Sequence, residues 1–188
     1  MISVPNRTDV APVSRTIAAF DPGPRWTGFA CVTMHGGAGR PVRFVYREGR
    51  KMESTPEQIN WCFALGVDLV AVESVDGVPY EDVRAAKLME TNGVARAIEW
   101  LALGRGLPVE RLSARAWRSP LCGRGNASDD QIARVVALHI RELPRRTNVH
   151  VRDALGLAVV AGWRFLQRRE ARAAGTGAAR GRAKGAIR

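Results

Sequence analysis

Apolar and polar positions along the chain predict a mixed sheet flanked by helices. The run Ile17 to Phe20 is apolar throughout and reads as a buried strand that ends on Asp21, where Pro22, Gly23 and Pro24 force a turn. Gly28 to Met34 reads as a second strand, and Val42 to Glu48 completes an antiparallel meander after a glycine-rich turn at 36–39. Pro56 to Leu65 reads as a short helix capped by Thr55, with Ile59, Cys62 and Phe63 on one face. Asp68 to Ser74 repeats the first pattern, its apolar run from Leu69 to Val72 leading straight into Glu73. A long helix over Glu81 to Leu103 carries an apolar stripe of Val83, Ala86, Met89, Gly93, Val94, Ala97, Ile98 and Leu101. Leu107 to Leu112 reads as a short strand, and Ser128 with Gln131 forms a capping-box start for a helix through about Glu142. His150 opens a last helix to about Gln167, with Ala154, Leu157, Ala158, Ala161 and Phe165 as its core face.

These elements predict one domain over 15–168, preceded by a flexible arm over 1–14. The segment 169–188 is rich in Gly, Ala and Arg without apolar period and reads as a disordered basic tail. A chain of 188 residues, 46% hydrophobic, has room for one substantial core. The formal charge of +11 points to an anionic partner. From Arg168 onward seven basic side chains against Glu170 supply +6, which leaves +5 for the rest and still favours nucleic acid. Cys31, Cys62 and Cys122 are widely spaced and read as reduced, buried thiols. No apolar run approaches membrane-spanning length and the first residues lack a leader pattern, so a cytoplasmic location and no membrane partner are expected.

The chemistry lies where buried elements end. If the strands ending in Asp21 and Glu73 are parallel neighbours joined through a crossover, both carboxylates emerge at one sheet edge. His150-Val151-Arg152-Asp153 places an imidazole and a carboxylate on one face of a helix start. Converging acids repel unless cations lie between them. Hard divalent ions with oxygen ligands fit, and two of them about 4 Å apart can promote phosphodiester cleavage. Arg115 and Arg118 flank Trp117, and Arg124 stands between Gly123 and Gly125, where close approach to a phosphate backbone is possible. The hairpin alone is shared by RNase H-like nucleases and actin-like kinases, but the latter need a second phosphate loop and a longer chain. A noncatalytic basic DNA-binding protein would account for the charge and leave the edge acids unexplained.

In order along the chain stand Phe20-Asp21-Pro22-Gly23 with Thr27-Gly28, Val72-Glu73, Gly93-Val94-Ala95, Gly123-Arg124-Gly125 ahead of Gln131, and His150-Val151-Arg152-Asp153-Ala154-Leu155. This series resembles the motifs of the RuvC family of Holliday-junction resolvases over nearly all of Arg15 to Arg164. The resemblance implies an RNase H-like α/β fold and a homodimer packed through the long helix. It also implies symmetric nicking of four-way or other branched DNA with Mg2+, or Mn2+ as substitute, with two ions per active site. Asp21, Glu73, His150 and Asp153 fall on the family's metal and catalytic positions, and Arg118 on a basic residue near the scissile phosphate. Two departures stand out. A lysine expected after the glycine loop falls at or beside Asp129, and the aromatic that wedges into the junction falls near Asp76, with Tyr80 the nearest substitute. The compact segment between the third strand and Glu73 and the extra basic tail suit a phage-type or otherwise divergent member. A YqgF-like relative acting on RNA shares the hairpin and the fold, but the His150 and Asp153 pair with the Gly123 loop argues against it.

Overall fold

The computed structural model describes residues 13–37, 40–75 and 83–185, and in the last stretch the side chains of 86–174. The elements in chain order are β1 (Val13–Asp21), β2 (Trp26–Gly37), β3 (Arg40–Glu53), α1 (Pro56–Phe63), β4 (Leu69–Ser74), α2 (Val83–Leu103), β5 (Val109–Ser113), α3 (Ala114–Cys122), α4 (Asp129–His139), β6 (Ile140–Arg141) and α5 (Val149–Gly185). Among the described residues the strands form a single six-stranded sheet in the order β5-β4-β1-β2-β3-β6. β1, β2 and β3 make the expected antiparallel meander, while β4 lies parallel to β1 and β5 parallel to β4.

Each face of the sheet buries its own core, as the alternation of strand side chains requires. On one face Ile17, Ala19, Ala30, Val32 and Met34 pack against α5, with Trp117 of α3 and Ile132 and Val136 of α4 around it. On the other, Ala18, Phe20, Phe29 and Cys31 pack against Ile59, Cys62 and Phe63 of α1 and Ala95, Ile98 and Ala102 of α2. Because β4 is covered on both faces, Leu69 to Val72 can be apolar without a break. The three cysteines are free, and burial pushes the Cys31 and Cys62 thiols up to about 11 and about 12, so they serve as small core residues.

One acid fixes the register between β1 and β4. The Asp68 carboxylate accepts from the Thr16 amide at 2.8 Å and from Arg15 at 3.2 Å, and the Asp68 amide donates to the Thr16 carbonyl. This clasp aligns Ile17 with Leu69 and Phe20 with Val72, so the next residue on each strand is Asp21 or Glu73. α5 sits tightly over the neighbouring hairpin: a methyl group at Gly28 would lie 2.3 Å from the His150 carbonyl oxygen, and one at Gly162 would lie 2.7 Å from Phe44.

The structure departs from the sequence reading in five places. β1 begins at Val13, whose side chain joins the core, so the arm cannot extend to Ser14. α2 covers the sheet with Val94, Ala95, Ile98, Leu101 and Ala102, whereas Ala86, Met89 and Ala97 of the expected stripe are exposed. Ser113 to Ser119 carried no helical expectation, yet α3 runs from Ala114 to Cys122, with Gly123 in the left-handed cap. α4 stops at His139 because Ile140 pairs with Phe44 and extends the sheet by β6. α5 does not end near Gln167. Arg164 and Arg168 both reach buried Glu110, and the helix continues through the expected tail to Gly185, over a segment rich in the helix formers Ala and Arg.

The close packing at Gly28 yields a test. Gly28→Ala is expected to destabilise the fold by about 1–3 kcal/mol through overpacking against α5, read as a lower urea midpoint with unchanged slope. A midpoint equal to wild type would show that α5 can lift from the hairpin freely.

Candidate active site

The edge of the sheet where β1 and β4 end collects four of the residues singled out from the sequence. Asp21 is the last residue of β1, and Glu73 lies one residue before the end of β4. His150 and Asp153 sit in the first turns of α5, whose start is secured by the Asn148 side chain accepting the His150 amide at 3.0 Å. His150 Nδ1 and Asp21 Oδ2 are 2.8 Å apart. The buried Asp153 carboxylate accepts from Arg118 at 2.9 Å, a contact that α3 delivers from below the β5 end. Glu73 accepts at 2.8 Å from the indole N–H of Trp117, which is itself fully buried.

Trp117 is the site residue that the sequence reading missed. Its neighbours Arg115 and Arg118 drew attention as basic side chains, whereas the indole anchors α3 in the core and orients a carboxylate. The absence of side chains at Gly156 makes room for it, since a methyl group there would lie 2.7 Å from the Trp117 ring. A sequence signal existed in the pairing of a small residue on the core face of α5 with a large aromatic, but its partner becomes evident only once α3 is seen to be a helix. Arg115 and Arg124 are exposed, and the Arg115 stem lies where a Gly125 side chain would go. Tyr80 and Asp76 lie outside the described residues.

The electrostatics are those of acids held close in a poorly hydrated place. Burial above all pushes Glu73 up to about 7; Asp21 and Asp153 add to the rise, while Trp117 and Arg118 oppose it. Asp153 is pushed up to about 6, again by burial, against the pull of Arg118. Asp21 is raised by burial too, with the His150 contact acting against it. In this conformation no three of the described His, Cys, Asp and Glu side chains stand in a metal-ligating arrangement. Asp21 is turned to His150 and Asp153 to Arg118. The donor set nevertheless suits a hard cation. Asp153 Oδ1 is buried without a hydrogen-bond partner, and Asp21 raises the proton affinity of both Glu73 and Asp153.

No family profile matches the chain. Its sequence is 28% identical over 155 residues to the crossover junction endodeoxyribonuclease RuvC of Trichlorobacter lovleyi, covering 76% of this chain and 82% of that one. Against the RuvC of Hahella chejuensis it is 29% identical over 150 residues, covering 76% and 84%. Among solved structures, Thermus thermophilus RuvC in complex with a Holliday junction substrate superposes with a TM-score of 0.59 at 21% identity, over 77% of this chain and 91% of the other. The yeast mitochondrial Holliday junction resolvase Ydc2 gives 0.51 at 10% identity, over 88% and 86%. The order of strands, the helix over the β1–β2 hairpin and these similarities agree: the chain has the RuvC form of the RNase H-like fold and is a distant homologue of the RuvC family of Holliday-junction resolvases.

Proposed function

We propose that the protein is a structure-selective endodeoxyribonuclease that resolves four-way DNA junctions, using Mg2+ or Mn2+ and working as a homodimer that makes symmetric nicks. The observation that carries this reading is the meeting of Asp21, Glu73 and Asp153 at one sheet edge, where burial raises all three proton affinities and neighbouring carboxylates add to the rise at Glu73 and Asp153. Acids so placed are costly to the fold unless a cation or a proton joins them. The junction-bound relative supports the substrate class, and the basic body supports an anionic one. On α2, Met89, Trp100 and Leu103 are 59%, 72% and 52% exposed, at spacings that share a helical face, which supports a second copy packing there.

Asp21, Glu73 and Asp153, with His150 beside Asp21, would hold the ions. Divalent ions bound there supply the positive charge that makes a water nucleophilic near neutral pH and stabilises the departing oxygen. The chain's own residues do the remaining work. Trp117 keeps one Glu73 oxygen fixed, leaving the other for the site. His150 can hold or pass a proton at Nδ1 while its ring is oriented by Asp21. Arg118 neutralises Asp153 in this conformation, and its guanidinium is of the kind that would pair with a phosphate oxygen brought to this edge.

The direct test uses a supercoiled plasmid with an extruded cruciform. With Mg2+ the wild type is expected to give linear product in a single encounter, chelator should stop the reaction, and duplex or RNA–DNA hybrid should be spared. Asp21→Asn, Glu73→Gln and Asp153→Asn should each lose at least about 100-fold in rate while binding the junction as well or better. Uncoupled single nicks would remove the dimer, and cleavage surviving in chelator would remove the metal site.

His150 separates a catalytic from a helix-capping role. His150→Ala is expected to lose most single-turnover cleavage, whereas His150→Asp keeps an appreciable Mg2+-dependent part because a carboxylate can ligate there. Equal cleavage by wild type and His150→Ala would take the imidazole out of the chemistry.

The raised carboxylates also set a pH dependence of stability. Groups with folded pKa values above their ordinary ones add stability at low pH and lose it as pH rises, here through about 6 for Asp153 and about 7 for Glu73. In chelator the melting temperature should therefore fall from pH 5 to pH 8, with Glu73 contributing on the order of 1–3 kcal/mol. Glu73→Gln should flatten the fall, and Mg2+ should restore wild-type stability at pH 8. A melting temperature that climbs from pH 5 to pH 8 in chelator would contradict the electrostatic account.

A further inference from the structure

The turn that follows Asp21 ends in a tryptophan for which the catalytic reading has no use. Trp26 is 37% exposed and stands between two cations, with the Arg25 guanidinium and the Lys51 ammonium each 5.3 Å from the ring centroid. The strand register shows which way it faces. Gly28 pairs with Asp21 on one side and Lys51 on the other, and a side chain at Gly28 would run into His150. Strand alternation puts Trp26 on that same face, roughly 6–7 Å farther along β2. Lys51, opposite Gly28, shares the face, which is how its ammonium reaches the ring. Trp26 thus belongs to the rim of the carboxylate site, on the His150 side.

The turn that carries the ring is also held in place. The Ser54 amide donates to the Arg25 carbonyl at 3.0 Å, and Ser54 Oγ donates to the Gly23 carbonyl at 2.8 Å. Thr27, fully buried, bonds Ser54 through its hydroxyl at 2.8 Å. Gly23 is needed because a methyl group there would lie 2.6 Å from the Trp26 carbonyl oxygen. A large aromatic on a rigid turn loses little entropy when it engages a partner. Trp61 makes a useful contrast. On the opposite face of the sheet, the Arg50 guanidinium covers it at 3.5 Å and Phe29 meets it edge to face, so its ring is already engaged. The cations at Trp26 stand farther off. Glu53, across from Trp26 in the ladder, is exposed as well, leaving this rim with two cations to one acid.

We propose that Trp26 is a stacking platform for a nucleobase unpaired or splayed at the strand exchange, with Arg25 and Lys51 on the phosphates that flank it. An aromatic face bordered by cations and continuous with a phosphodiester-cleaving centre matches a nucleic-acid strand in both apolar and charged parts. Stacking tolerates any base, so the contact positions the strand without reading its sequence. The inference rests on the nuclease reading given above, and its test separates the two.

The full-length chain, in chelator, is titrated with a four-way junction carrying 2-aminopurine next to the crossover, with three-way and linear duplexes, and with a single-stranded oligonucleotide carrying the same base. Wild type and Trp26→Phe should bind and quench the 2-aminopurine. Trp26→Ala should lose the quench and bind about 5- to 150-fold more weakly, with the salt slope unchanged because no phosphate contact is lost. Arg25→Ala and Lys51→Ala should keep the quench and reduce the salt slope by about 1 each. Binding and quenching by Trp26→Ala equal to wild type, with cleavage intact, would overturn the stacking role and leave the resolvase reading standing. A wild type that prefers neither junction nor branch over duplex would overturn the resolvase reading, while the single-stranded arm still decides the stacking. A wild type that binds no DNA overturns both.

Discussion

The parallel register of β1 against β4 is the constraint on which the rest depends. Asp68 clasps the Thr16 amide and Arg15 at the entrance of the two strands, and two buried apolar runs then travel side by side. A slip of one residue would turn every side chain of β4 to the other face and expose part of each run. With the register fixed, Asp21 and Glu73 have nowhere to go except the same edge. The cost of the arrangement is two carboxylates in a poorly hydrated place: burial raises the proton affinity of each, and Asp21 adds to the rise at Glu73.

α5 completes the site because it can come unusually close. Gly28 removes the side chain that would hold the helix away from the hairpin, and Gly156 and Gly162 let Trp117 and Phe44 fill against it. The same helix therefore supplies His150 and Asp153 at one end and much of the core behind them. Arg118 and Trp117 arrive together from α3, the first as a counter-charge for Asp153 and the second as a hydrogen-bond donor to Glu73. The conformation is one of acids paired internally, with Arg118 and His150 at places a divalent cation can take over.

Much of this was legible in the sequence wherever burial is complete. Ile17 to Phe20 and Leu69 to Val72 have no polar position, so their strands and the carboxylates after them could be read directly, as could the core face of α5. What could not be read depends on contacts between distant segments. β6 exists because Ile140 finds Phe44, and α3 exists because Trp117 and Leu121 find Gly156, despite Pro120 inside the helix. The stripe on α2 was overread: periodicity identifies apolar residues, but it cannot tell those that meet the sheet, such as Ile98, from those that face outward, such as Met89. Trp26 could not be read as a rim residue because β2 begins at Trp26, two residues before the apolar run that marks the strand in the sequence.

The central claim is that Asp21, Glu73 and Asp153 share divalent cations. It is tested most directly by anomalous diffraction from crystals grown with Mn2+. The account predicts anomalous density bounded by these three carboxylates, with Arg118 withdrawn from Asp153 and the density lost in Asp153→Asn. Crystals at millimolar Mn2+ that show no density at this edge, with Arg118 still on Asp153, would contradict it.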